Sequence, residues 1–204
     1  IRTIEKDHTE RFFLSSDTSK GALSIEITIE LPVCYDNNSV LDSVRNTIVA
    51  NLFGVEYIKY GNDTLLSKFT NDIKSEYRLT NLPILNEMDD KSLYSFNNEH
   101  ILDGFSLLND ENIYSYGINR YVFMGGAHGL NTINYFNFNL KTGKLITESD
   151  LFLKNTTPKL IELLKKRIVE QSIEDKDIEP IQSLNKTDYW VDAIKPNGNF
   201  YITD

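Results

Sequence analysis

Leu23-Ser24-Ile25-Glu26-Ile27-Thr28-Ile29-Glu30-Leu31-Pro32-Val33 is the stretch on which the fold turns. Leu23, Ile25, Ile27, Ile29, Leu31 and Val33 point one way, and Ser24, Glu26, Thr28 and Glu30 the other. A period of two over eleven residues is a long strand with one buried face. Pro32 falls on the polar face near the end, where a strand tolerates a missing N–H best. Cys34 closes the strand and reads as a small core hydrophobe.

Outward from this strand, Asp36-Asn37-Asn38-Ser39 supplies a turn and a helix cap. Leu41, Val44, Ile48 and Leu52 then recur at helical spacing, and Gly54 ends the run. A second helix starts near Asn62 with a stripe of Leu66, Phe69, Ile73 and Tyr77. Residues 79–90, with Pro83 and the pair Asp89-Asp90, read as a connector and the best internal boundary. Residues 1–20 are polar, with Phe12-Phe13-Leu14 as their one apolar spot.

The second half is rich in Tyr, Phe, Ile and Asn. It reads as antiparallel strands over 100–108, 113–123 and 131–140, the first two joined by Asn109-Asp110-Glu111-Asn112. On the third, Phe136, Phe138 and Leu140 share one face, and Ile133 and Tyr135 the other. Lys141-Thr142-Gly143-Lys144 turns into a short strand at Leu145-Ile146. Thr157-Pro158 opens a helix whose buried stripe is Leu160, Ile161, Leu164 and Ile168. Residues 174–180 are acidic and loop-like, and Phe200-Tyr201-Ile202-Thr203-Asp204 reads as a strand cut short. Strands and helices are segregated, so the expected class is α+β. The sheet is mostly antiparallel with helices on one side, built as two interlocked subdomains, 1–90 and 91–204. Neither half has enough strands to bury its aromatic faces alone, so the two should share one sheet or pack tightly.

Composition narrows the function. With 204 residues, 40% hydrophobic and 25% charged, the chain can bury a core without staples. It has 21 Lys+Arg against 30 Asp+Glu, a formal charge of −9. That argues against nucleic acid and anionic lipid, which need clustered cations. One cysteine precludes an intrachain disulfide, a usage that fits cytosol or periplasm. No apolar run is long enough to span a membrane. The first residue is Ile1, which leaves room for a removed leader.

Most catalytic patterns fail. There is no G-x-S-x-G, P-loop, G-x-G-x-x-G or H-E-x-x-H. His8, His100 and His128 are scattered, without metal-ligand spacing, so neither a metal nor a cofactor is expected. The Asp36-Asn37-Asn38 segment breaks the calcium-loop pattern at Val40. Acidic pairs such as Asp110-Glu111 sit in turns, where charge is ordinarily just solvated.

One motif stands out: Tyr121-Val122-Phe123-Met124-Gly125-Gly126-Ala127-His128-Gly129. Its glycines allow positive φ or close backbone approach, and successive N–H groups there can form an anion nest. Tyr121, Phe123, Gly125, Gly126, Ala127, His128 and Gly129 are the candidate binding residues. Two roles are open for His128. As a structural residue it has a buried ring bonded to nearby backbone. As a functional one it faces a cleft with an acid or hydroxyl beside it. The structural role is favoured, and no catalytic residue is named.

That motif, followed by Asn137-Phe138-Asn139-Leu140-Lys141-Thr142-Gly143-Lys144 and Asp150-Leu151-Phe152, resembles the RsiV-type C-terminal domain over residues 92–204. The first half is similar in layout to the domain ahead of it in the PdaC peptidoglycan deacetylase. In that family a further strand follows the position of Asp204, so the last strand segment looks truncated. The resemblance implies an extracytoplasmic envelope protein of the periplasm or cell surface, commonly a lipoprotein anchored through a removed leader. It implies a receptor for a lysozyme-like protein or a cell-wall glycan, not an enzyme. The alternative is an envelope glycan or peptide hydrolase using His128 and an acidic partner. The charge of −9 fits a basic protein partner.

Overall fold

The computed structural model describes residues 1–88, 96–153, 155–174, 184 and 190–203. Its centre is a six-stranded sheet: β1 (Arg2–Phe12), β2 (Leu23–Cys34), β3 (Asn98–Asn109), β4 (Ile113–Phe123), β5 (Leu130–Asn139) and β6 (Lys144–Leu145), side by side in chain order. Every pairing is antiparallel except β2 with β3, which is parallel. A parallel pair needs a long crossover. Two helices, α1 (Asn38–Phe53) and α2 (Asn62–Glu87), lie within it in sequence. The fold is therefore α+β, and one sheet takes strands from both sides of residue 90.

The alternation in β2 is realised as read. Leu23, Ile25, Ile27, Ile29 and Leu31 are no more than 1% exposed, and they pack in one core with Val40, Val44, Ile48 and Leu52 of α1. Each such side chain contributes roughly 1.5–3 kcal/mol on full burial. Asn37 caps α1, its side-chain oxygen accepting from the N–H groups of Ser39 and Val40. Tyr114, Tyr116 and Phe138 extend the core across β4 and β5.

Five local readings need correction. Residues 2–12 form a full strand rather than a polar lead-in. Its helix-facing side is charged: Lys6 bonds Asp63 at 3.2 Å, and Glu10 accepts from Lys74 at 2.8 Å, both partners on α2. Ion pairs at a sheet edge replace the apolar stripe that periodicity detects. Cys34 is exposed, not core. The register slips between Arg2 and Thr3, with Thr3 opposite Pro32 and Arg2 opposite Cys34, so Cys34 ends at the last pairing of the edge. Pro32, read onto the polar face, is buried.

Helix α2 runs through Pro83 to Glu87 where a connector was expected, while Asp89-Asp90 lies outside the described residues. Proline deprives only the Leu79 carbonyl of its partner, and Leu79 is 79% exposed, so water can replace the bond. Leu85 and Met88 pack against the core and carry the stripe past the proline. Last, Phe200–Thr203 is not a strand. Asn137 holds it instead: Nδ2 donates to the Phe200 carbonyl at 2.7 Å, and Oδ1 accepts from the Ile202 N–H at 2.9 Å.

The chain divides into two compact units, residues 1–145 with 200–204, and residues 146–199. The second contains α3 (Glu148–Leu151), with a capping box of Thr147 and Asp150, and α4 (Thr157–Glu174). Leu160, Ile161, Leu164 and Ile168 of α4 are half-buried rather than buried. The acidic run after Glu174 lies outside the described residues.

Candidate functional site: the β4–β5 loop and the open sheet face

The glycine-histidine motif forms the connection from β4 to β5, whose pairing ends at Val122 opposite Leu130. Gly125 turns the chain at φ 75°, a conformation side chains rarely adopt. Gly129 lies directly under the Tyr121 ring, and an added Cβ would collide with that ring. Tyr121 and Phe123 are half-buried on β4, while Gly125, Gly126, Ala127 and His128 are exposed. The His128 ring is therefore not buried as its structural role required. Its Nδ1 sits 3.3 Å from the Gly129 carbonyl, a contact with its own neighbour. Among the described residues no three His, Cys, Asp or Glu side chains converge as a metal site.

Side chains with more chemistry lie on the sheet face opposite the helices. Alternation and register put Glu5, Asp7 and Arg11 of β1, Glu26 of β2, and Glu99 and Asp103 of β3 on this face. Asn119, Tyr121 and Phe123 of β4 and Asn131 and Tyr135 of β5 continue it. The same register sets Glu30 opposite Glu5, but its carboxylate is taken up by Ser106; among the described residues of these strands five other carboxylates stand against one guanidinium. Asn119 Nδ2 donates to Asp103 at 3.1 Å, and Tyr135 packs on Tyr201 with ring centroids 4.8 Å apart. A cavity of about 300 Å³ opens among Thr9, Arg11, Ser24, Glu26 and Glu99, with Glu10, Ile25 and His100 completing its lining.

His100 also borders the core. Its burial lowers its pKa; Glu76 opposes that shift and the Arg120 guanidinium adds to it. Arg120 in turn donates to the carbonyls of Asn51 and Leu52 at 3.1 and 2.7 Å, tying β4 to the last turn of α1. A further polar cluster joins β2, β3 and β4. The Glu30 carboxylate accepts from the Ser106 N–H and hydroxyl, and that hydroxyl meets the Tyr114 hydroxyl at 2.9 Å. Burial pushes the Tyr114 phenol well above its ordinary range, so it serves as a neutral hydrogen-bonding group.

Of the residues singled out from sequence, Tyr121 and Phe123 belong to the open face; the glycines and His128 form its rim loop. The acidic face itself was missed, because its carboxylates come from three strands spread over residues 5–103 and the first of these, β1, was read as a polar lead-in. Its only local signal was the polar side of residues 24–30.

A mostly antiparallel six-stranded sheet, helices on one face and a polar, aromatic opposite face define a class of α+β domain with known relatives. The family model described as "Deacetylase PdaC" matches residues 19–131, just over half of the chain, and the chain belongs to that family. The match runs across residue 90. A crystal structure of a DUF3298-family member from Bacteroides fragilis shares the fold, with TM-score 0.85 and 24% identity over 98% of this chain and 79% of that one. A DUF3298-family protein from Pseudomonas aeruginosa is more distant, with TM-score 0.50 and 12% identity over 87% of this chain and 71% of that one. No curated protein matches the chain significantly.

Proposed function

We propose that this protein is a non-catalytic recognition domain that works outside the cytoplasm, in a bacterial envelope, and binds a basic protein of lysozyme type on its open sheet face. The observation that carries the reading is the imbalance of that face: Glu5, Asp7, Glu26, Glu99 and Asp103 against Arg11. Opposite fields steer a cationic partner to such a surface, and Tyr121 and Phe123 add apolar area, Tyr121 with a polar tip. The resemblance of residues 92–204 to the RsiV-type receptor domain supports the same class of partner. The two solved structures named above both come from bacteria. Attachment to the membrane by a lipid on a removed leader belongs to this proposal.

The test is a binding titration of the 204-residue chain against lysozyme at rising salt. Exposed charge pairs are screened beyond about 8 Å at physiological ionic strength, so affinity should fall steadily with salt. Asp7→Lys and Glu26→Lys should weaken binding further. Salt-independent binding, or none, overturns the basic-protein reading. Retention on purified wall glycan would move the proposal to that ligand. Release of acetate from acetylated glycan, lost in His128→Ala, would replace it with a hydrolase.

A further inference from the structure

The cavity on the open face shares Arg11, Glu26 and Glu99 with the protein-binding reading but has a layout of its own. Pairing puts Arg11 opposite Ser24, and Ser24 opposite Glu99, in one row across β1, β2 and β3. The short Ser24 is the floor between two long side chains of opposite charge. The next row holds Thr9 opposite Glu26. Arg11 rests with its guanidinium carbon 5.3 Å from the centre of the Phe13 ring, which limits its freedom. Among the described residues, Arg11, Glu26 and Glu99 form no ion pair. A surface that paired its own charges would have joined them.

We propose that this trough binds the α-amino-acid zwitterion, with Arg11 on the carboxylate, Glu99 on the ammonium and the Ser24 hydroxyl beneath. Strands one apart from a neighbour on each side are about 9.5 Å from each other, twice the strand spacing. Arg11 and Glu99 therefore rise from opposite sides of Ser24, with charges of the two signs that a zwitterion needs. Thr9 and Glu26 face the ligand's side chain, which favours a polar or cationic one. The volume of about 300 Å³ admits a ligand of this size.

The experiment is NMR or calorimetric titration of the full chain with L-lysine, L-alanine and L-glutamate, and with lysine acetylated at Nα or amidated at the carboxyl. Lysine should bind best and glutamate worst. Either blocked lysine should lose at least about 10-fold, the scale of one charge-assisted hydrogen bond. Arg11→Ala and Glu99→Gln, whose side chains lie outside the core, should lose as much while keeping the wild-type melting curve. Lysine that binds with both groups blocked, or equally to these variants, overturns the site, as does absence of any saturable binding. Ser24→Phe provides the control that fills the trough without removing a charge. Lysozyme binding measured on the same variants separates this site from the broader face.

Discussion

Asn137 ties the last described residues of the chain to the sheet, and replacing it is the sharpest test of how that closure works. Its side chain is buried and makes three hydrogen bonds: from the Ser115 hydroxyl to Oδ1 at 2.7 Å, from the Ile202 N–H to Oδ1, and from Nδ2 to the Phe200 carbonyl. Each bond contributes about 0.5–1.5 kcal/mol net, and a buried partner left unpaired costs about 1–3 kcal/mol. Asn137→Ala strands the Ser115 hydroxyl, which is fully buried, while the Phe200 and Ile202 groups can recover water if the segment lifts away. The expected loss is about 2–4 kcal/mol. For a chain of this size that is roughly 4–16 °C in melting temperature. Urea denaturation gives the free energy, and hydrogen exchange at 200–203 reads the detachment. Asn137→Asp keeps the acceptor for Ser115 and Ile202, but it turns a buried, uncompensated carboxylate toward the Phe200 carbonyl, so at neutral pH it should cost at least as much as alanine, and less once the carboxyl is protonated. A loss under about 0.5 kcal/mol for alanine, with exchange at Ile202 unchanged, would refute the claim that this side chain closes the structure.

Three further outcomes follow from the same geometry. His100 is held neutral by burial, with a folded pKa below its ordinary 6.5, so stability should be flat above that pH and fall as pH drops below it. His100→Gln should remove that slope in melting temperature against pH. Gly129→Ala should cost about 1–3 kcal/mol because its Cβ meets the Tyr121 ring, whereas Gly126→Ala, with nothing within 4 Å, should be near neutral by the same denaturation assay. His128→Ala should change stability by no more than about 0.5 kcal/mol, because the ring is exposed and contacts only its neighbour's carbonyl.

Local pattern alone determined much of this protein. The alternation of residues 23–33 fixed β2 and the face it buries, the spacing from Leu41 to Leu52 gave α1, and the aromatic runs located β3, β4 and β5 to within a few residues. Periodicity works there because one side of each element meets a continuous apolar core. Where the partner is an ion pair, as for Lys6 and Glu10 on β1, the same signal vanishes although the strand is just as regular. Pro83 misled for a related reason: a local breaker was outweighed by the packing of Leu85 and Met88. His128 carried a motif but no burial, since a loop's environment depends on which other elements reach it. The acidic face and the Arg11–Ser24–Glu99 row exist only once β1 and β3 lie on either side of β2. Residues about 75 apart become neighbours through strand order and register, which arise from the burial of the whole sheet and not from any one segment.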